Sequence, residues 1–158
     1  MAESSTGRGT LFALFILRVY TGVALFSAGL SKAQRGFLDG KKLSESIREW
    51  LAEGTPYDFF EPFLRDVVQP RADLFSWLVS GGELVGGACL AIGLLTRPAA
   101  IGSFVMMVAI ALAGGEVFWK PGTAVAFVFL TLALSITAPG RFLGVDARLR
   151  GKLPRWLV

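Results

Sequence analysis

Histidine is absent from the sequence, and cysteine occurs once, at Cys89. The first absence removes the commonest axial haem ligand and the commonest metal ligand. The second excludes an internal disulfide and dithiol chemistry, and a lone cysteine in an apolar run reads as a small hydrophobe. No phosphate-binding glycine loop, metal-ligand spacing or Ser/His/Asp set occurs. Charge is also scarce. Asp, Glu, Lys and Arg make up 18% of the 158 residues, against about 25% in ordinary soluble domains.

Apolar residues fill that gap. They account for 53% of the chain, with 13 phenylalanines and a mean hydropathy of +0.58. The length allows one domain, 1–158. The net charge is +4. Most of that excess lies after position 140, so it marks a basic tail and not a nucleic-acid surface.

Four apolar runs stand out: Thr10–Leu30, Leu74–Leu95, Pro98–Ala113 and Thr123–Ala138. A hydrocarbon core about 30 Å thick needs roughly 20 helical residues. The first two runs meet that length, and the shorter pair reaches it with flanking residues. The expected fold is an all-α membrane protein, a four-helix transmembrane bundle with spans at about 10–30, 74–95, 98–113 and 121–138. Arg18 interrupts the first run and no small-residue cleavage site follows, so that run reads as a helix and not a signal peptide.

Charge placement predicts orientation. Arg8, Arg97 and a tail carrying Arg141, Arg148, Arg150, Lys152 and Arg155 fall on one side of a four-span protein. Both termini are therefore expected in the cytoplasm, with Trp77 and Trp119 at the outer interface. The first outer loop, 31–73, carries seven basic and eight acidic residues. Within it Leu43, Ile47, Trp50 and Leu51 keep helical spacing up to Gly54. Thr55-Pro56 reads as a second helix start, and an apolar stripe from Phe59 to Val68 ends at Pro70. These segments are expected as two amphipathic helices on the outer membrane surface, capping the bundle. The tail, 141–158, mixes apolar and basic residues and is expected on anionic headgroups.

An ionisable group inside a membrane is a functional candidate by default. Arg18 and Glu83 qualify, and Lys32 sits just past the outer end of the first span. At about 1.5 Å per residue, Glu83 lies roughly 9–13 Å and Arg18 roughly 18 Å below the outer interface. Side chains lean toward the helix amino terminus, which favours Lys32 for Glu83, but an arginine also spans the gap. Both partners stay open. Gly82 and Gly86 form a G-x-x-x-G pair around Glu83, and Gly22 and Gly29 give the first helix a matching bare face. Gly81 and Gly87 widen the bare surface, and the first and second spans are expected to pack closely, with Glu83 facing the seam. Glu83 reads either as half of a structural ion pair or as a proton-handling, quinone-contacting carboxylate.

These residues resemble the DoxX/DoxD family of small bacterial membrane proteins. Arg18, Gly22, Gly29 and Lys32 are similar to its first-helix pattern. Glu83, Gly86 and Gly87, followed by Leu90-Ala-Ile-Gly-Leu-Leu-Thr-Arg97, resemble its second helix and turn. Gly140, Arg141 and Asp146 resemble its closing G-R-x-x-G-x-D signature. The resemblance implies a multi-pass protein of the bacterial plasma membrane, some relatives being similar to the DoxD subunit of thiosulfate:quinone oxidoreductase. It implies an integral subunit of an oxidoreductase or respiratory-type complex that contributes to a quinone site. Other membrane or peripheral subunits, or further copies of the chain, would be its partners. The cofactor expected is a bound quinone or lipid, with none covalent. Two other functions fit the sequence: a structural or assembly subunit without chemistry, and a small-molecule transporter.

Overall fold

The computed structural model describes residues 2–54, 57–117, 119, 121–149, 152 and 154; nothing is said of the side chains of residues 2–6 or of Arg141. Helix α1 runs from Ala2 to Gln34 and α2 from Lys41 to Glu53. A short α3, Glu61–Phe63, continues as a π turn over Leu64–Val68 and a 3-10 turn over Gln69–Arg71. Then come α4 (Ala72–Ile92), α5 (Thr96–Ala113), α6 (Thr123–Thr137), a 3-10 turn over Pro139–Arg141, and α7 (Val145–Arg148). Three of these stretches are long and apolar enough to cross a membrane: Gly7–Gln34, Glu61–Ile92 and Thr96–Ala113. The apolar α6 is shorter, with 15 residues. The chain is an all-α membrane protein.

α1 packs antiparallel along α4, α5 along α6, and α4 along α5. Gly22, Gly29 and Gly87 explain the closeness of the first pair. A methyl group on Gly87 would lie 2.7 Å from the Gly22 carbonyl oxygen, and one on Gly29 would lie 2.8 Å from that of Ser80. No larger residue fits there, so the two backbones touch. The bundle interior holds Leu25, Leu90, Ala100, Met107 and Leu134. α4 ends in a left-handed Gly93, and the Leu94 amide reaches back to the Cys89 carbonyl at 2.9 Å. That reach satisfies a terminal carbonyl and turns the chain sharply into α5.

A second apolar cluster joins the loop between α1 and α4 to the bundle. Leu43 and Ile47 of α2 meet Leu64, Val68 and Ala113, the last residue of α5. The apolar spacing in α2 thus covers the loop end of the bundle. The second loop helix departs from the sequence reading. Thr55 and Pro56 lie outside the described residues, and the helix begins at Glu61, with Pro62 in its first turn. Pro70 does not end it. Proline lacks an amide hydrogen, and the chain accommodates it by passing through π and 3-10 turns into α4, with a break in direction at Arg71 (φ −126°, ψ 35°).

Of the basic tail, 150–151, 153 and 155–158 lie outside the described residues. Residues Pro139–Arg148 pack on the α4–α5 turn, with Asp146 buried and Leu143 exposed.

Candidate functional site

Two polar clusters sit at different levels of the bundle. On the loop side, Lys32 of α1 donates a hydrogen bond to Glu83 Oε1 of α4. The carboxylate side chain is 3% exposed and the lysine 31%. The open choice of partner is thereby decided, and the lean of side chains along antiparallel helices is the reason. Lys32 lies inside α1, which continues to Gln34. Glu83 Oε2 is buried and has no hydrogen-bond partner among the described residues.

Arg18 belongs to the other cluster, and its candidacy as a mid-membrane partner of Glu83 is corrected. Its guanidinium donates to the carbonyls of Pro139 (3.1 Å), Phe142 (3.3 Å) and Leu143 (3.1 Å). It also lies 5.1 Å from the Phe15 ring centroid. Gly93 and Gly144 leave the room it occupies. Arg18 is therefore level with the α4–α5 turn. Counting the two depths from Leu30 and from Leu74 or Trp77 misplaced it, because Gly29 packs beside Ser80 and Glu83 and the two starting points are not level.

Asp146 completes this cluster. Its carboxylate accepts from the amides of Leu95 (2.7 Å) and Thr96 (2.9 Å), which open α5. A carboxylate at a helix start satisfies donors that lack an intrahelical partner. Gly140 is small for a reason: a Cβ there would overlap Thr96 Oγ1 and Asp146 Oδ2. Gly140 and Asp146 of the closing motif thus come together with Thr96 and Arg18. The side chain of Arg141 lies outside the described residues.

The glycines around Glu83 divide between two neighbours. Gly87 faces α1, as expected. Gly82 and Gly86 do not; a Cβ on Gly82 would meet Met106 Sδ, and one on Gly86 would meet Ser103 Oγ, both on α5. Glu83 and Gly87 are four residues apart and share a helical face, whereas Gly82 and Gly86 are rotated from it by one residue, about 100°. The G-x-x-x-G pair therefore thins the α4–α5 interface. Gly81 meets nothing.

Beside that thin interface lies a groove of about 750 Å³. α4 and α5 form two walls, while α2 and the Phe60–Val68 segment roof the loop end. The lining is almost wholly apolar, with Phe75, Met106 and Ile110 among it. Val85 and Val105 at its margin are exposed, so it opens sideways. Its polar groups include Lys32 and the Ser103 hydroxyl, which is buried and unpartnered among the described residues. A groove of this kind can take a long apolar molecule with a small polar head.

Sequence reasoning missed two sets of residues. Ser76 and Ser80 lie fully buried on the face of α4 that carries Glu83, with unpartnered hydroxyls. Their spacing to Glu83, four and then three residues, was the available signal. Glu116 caps α6 from the preceding loop, accepting from the Ala124 (3.3 Å) and Val125 (2.8 Å) amides. No short-range pattern announces a cap eight residues ahead. No group of three or more Cys, Asp or Glu able to hold a metal exists among the described residues.

No match was found among curated proteins or among solved structures. The DoxX family model, in contrast, matches residues 13–116, a stretch that contains Arg18, Lys32, Glu83 and both walls of the groove, and the chain belongs to the DoxX family.

Proposed function

We propose that this chain is an integral subunit of a bacterial plasma-membrane oxidoreductase complex, and that the α4–α5 groove holds the head and first isoprene units of a membrane quinone. The groove carries this reading. Its volume suits a small hydrophobic ligand. Its side opening gives entry from the bilayer, where quinones dissolve. Its few polar groups suit a carbonyl-bearing head: the Lys32 ammonium and the Ser103 hydroxyl both donate hydrogen bonds. Lys32 and Ser103 would hold the carbonyl oxygens of a quinone bound there, which would supply a two-electron, two-proton acceptor.

The chain's own groups bind and position; they do not supply electrons. It has no cysteine pair and no histidine. A partner subunit that oxidises a thiol or an inorganic sulfur compound is the source in keeping with the DoxD-like resemblance. The basic residues at Arg8, Arg97 and the carboxyl tail favour cytoplasmic termini.

Gly102 provides the test. It lines the groove, and a Cβ on it meets nothing within 4 Å. Gly102→Leu adds a bulky side chain to the groove wall at a position where its Cβ has room. Protein purified in mild detergent is extracted and its lipids identified by mass spectrometry. Wild type should carry an isoprenoid quinone and Gly102→Leu should lose it at unchanged thermal stability. Wild type without quinone, or a variant that retains it, overturns the reading.

A further inference from the structure

Glu83 is sealed from lipid but not from every polar neighbour. Ser76, Ser80 and Glu83 occupy one face of α4, spaced four and three residues apart, so their heights differ by about 6 and 4.5 Å. All three are at most 2% exposed. Ser76 Oγ, Ser80 Oγ and Glu83 Oε2 each lack a hydrogen-bond partner among the described residues. The hydroxyls of Thr96 and Ser103 are also buried and unpartnered among the described residues, but they lie on α5, away from this row, and two other buried hydroxyls bond within their own helices. Thr21 Oγ1 donates to the Leu17 carbonyl at 2.7 Å, and Thr131 Oγ1 to that of Phe127 at 2.6 Å. Leaving a buried polar group unmade costs about 1–3 kcal/mol. Three such groups in a row are the arrangement that internal water satisfies.

The row ends at a solvent-open cleft. One turn above Ser76, Ala72 and Asp73 form part of a loop-side vestibule of about 390 Å³. Asp39, Lys41, Glu45 and Arg48 line it as well. In the other direction the row meets apolar packing. Leu25 lies midway along α1 between Lys32 and Arg18, and Leu90 lies two turns below Glu83 on α4. With Ala100, Met107 and Leu134 they close the interior between the two polar clusters.

We propose that Ser76 and Ser80 hold a short file of water that joins Glu83 to the loop-side vestibule alone. A proton arriving along the file binds Glu83 Oε2, the oxygen that Lys32 leaves free, and departs from the same oxygen. Only O–H bonds form and break. Lys32 links this path to the groove, because it bonds Glu83 and also forms part of the groove wall. The path rests for its purpose on the quinone reading of the groove: protons taken up or released there exchange with the loop side, and the apolar layer bars the terminal side.

The test uses silver ions, which are close to water in size and bind thiolates. In a Cys89→Ala background, Ser76→Cys, Ser80→Cys and Thr21→Cys are placed one at a time. Each is reconstituted in sealed vesicles of known orientation, treated with Ag⁺ from one side in chloride-free buffer, then denatured and labelled with a fluorescent maleimide. Ser76→Cys and Ser80→Cys should lose labelling when Ag⁺ is on the loop side and keep it when Ag⁺ is on the terminal side. Thr21→Cys should keep labelling with Ag⁺ on the loop side. Full labelling of Ser80→Cys after loop-side Ag⁺, or equal loss from both sides, overturns the path. If the silver pattern holds in protein that carries no quinone, the path stands and the groove reading falls.

Discussion

Breaking the Lys32–Glu83 pair from its two ends should cost different amounts. Lys32→Met leaves a carboxylate that is 3% exposed with its only charged partner among the described residues removed. An uncompensated buried charge destabilises by about 3–5 kcal/mol. Glu83→Met leaves a lysine that is 31% exposed. That ammonium can swing its head toward water, as long basic side chains do. The cost should then approach the loss of one hydrogen bond to a charged group, about 1.5–3 kcal/mol. The double variant removes both charges and leaves methionines of similar length. Apolar replacement of a buried pair is often neutral, so it should be at least as stable as the milder single variant. The four tryptophans allow SDS-induced unfolding in mixed micelles to be followed by fluorescence for all four proteins. Equal losses in the two single variants, or a double variant as unstable as their sum, would refute the reasoning.

Gly87→Ala puts a methyl group 2.7 Å from the Gly22 carbonyl oxygen and should cost about 1–3 kcal/mol by overpacking; Gly81→Ala, which meets nothing, serves as the silent control in the same thermal melts. Asp146→Asn should weaken the α5 cap by about 0.5–2 kcal/mol, seen as faster hydrogen exchange at the Leu95 and Thr96 amides. Unchanged protection at both would show that the carboxylate does not hold them.

The large features were legible because each depends on local pattern. Long apolar runs marked α1, α4 and α5, and the spacing of Leu43, Ile47 and Trp50 marked α2. The family resemblance was legible for the same reason, in short motifs around Glu83 and Arg97. What escaped depends on separation along the chain. Arg18 bonds carbonyls 121 to 125 positions away, and backbone carbonyls have no sequence signature. The level of Arg18 required knowing how far α1 is shifted along α4, with Gly29 beside Glu83, and an apolar run does not specify that shift. The role of Gly82 and Gly86 turned on 100° of helix rotation, which the identity of small residues does not specify. The groove wall follows from that rotation, since both glycines face α5 and line the groove.

The unequal helix lengths have a consequence for the surrounding bilayer. The apolar run of α1 from Thr10 to Leu30 spans about 31 Å, and α6, with 15 residues, about 22 Å. Along α1 the protein therefore matches an ordinary hydrocarbon thickness of about 30 Å, and along its neighbour α6 it falls short by roughly 8 Å. Lipids along α6 must shorten, tilt or draw in their headgroups, at a cost of fractions of a kcal/mol per Å. The strained annulus lies on one side only, so the protein acts on its membrane as a wedge. A neighbour that is thin along the same edge, placed against α6, would release that strain without forming a single specific contact.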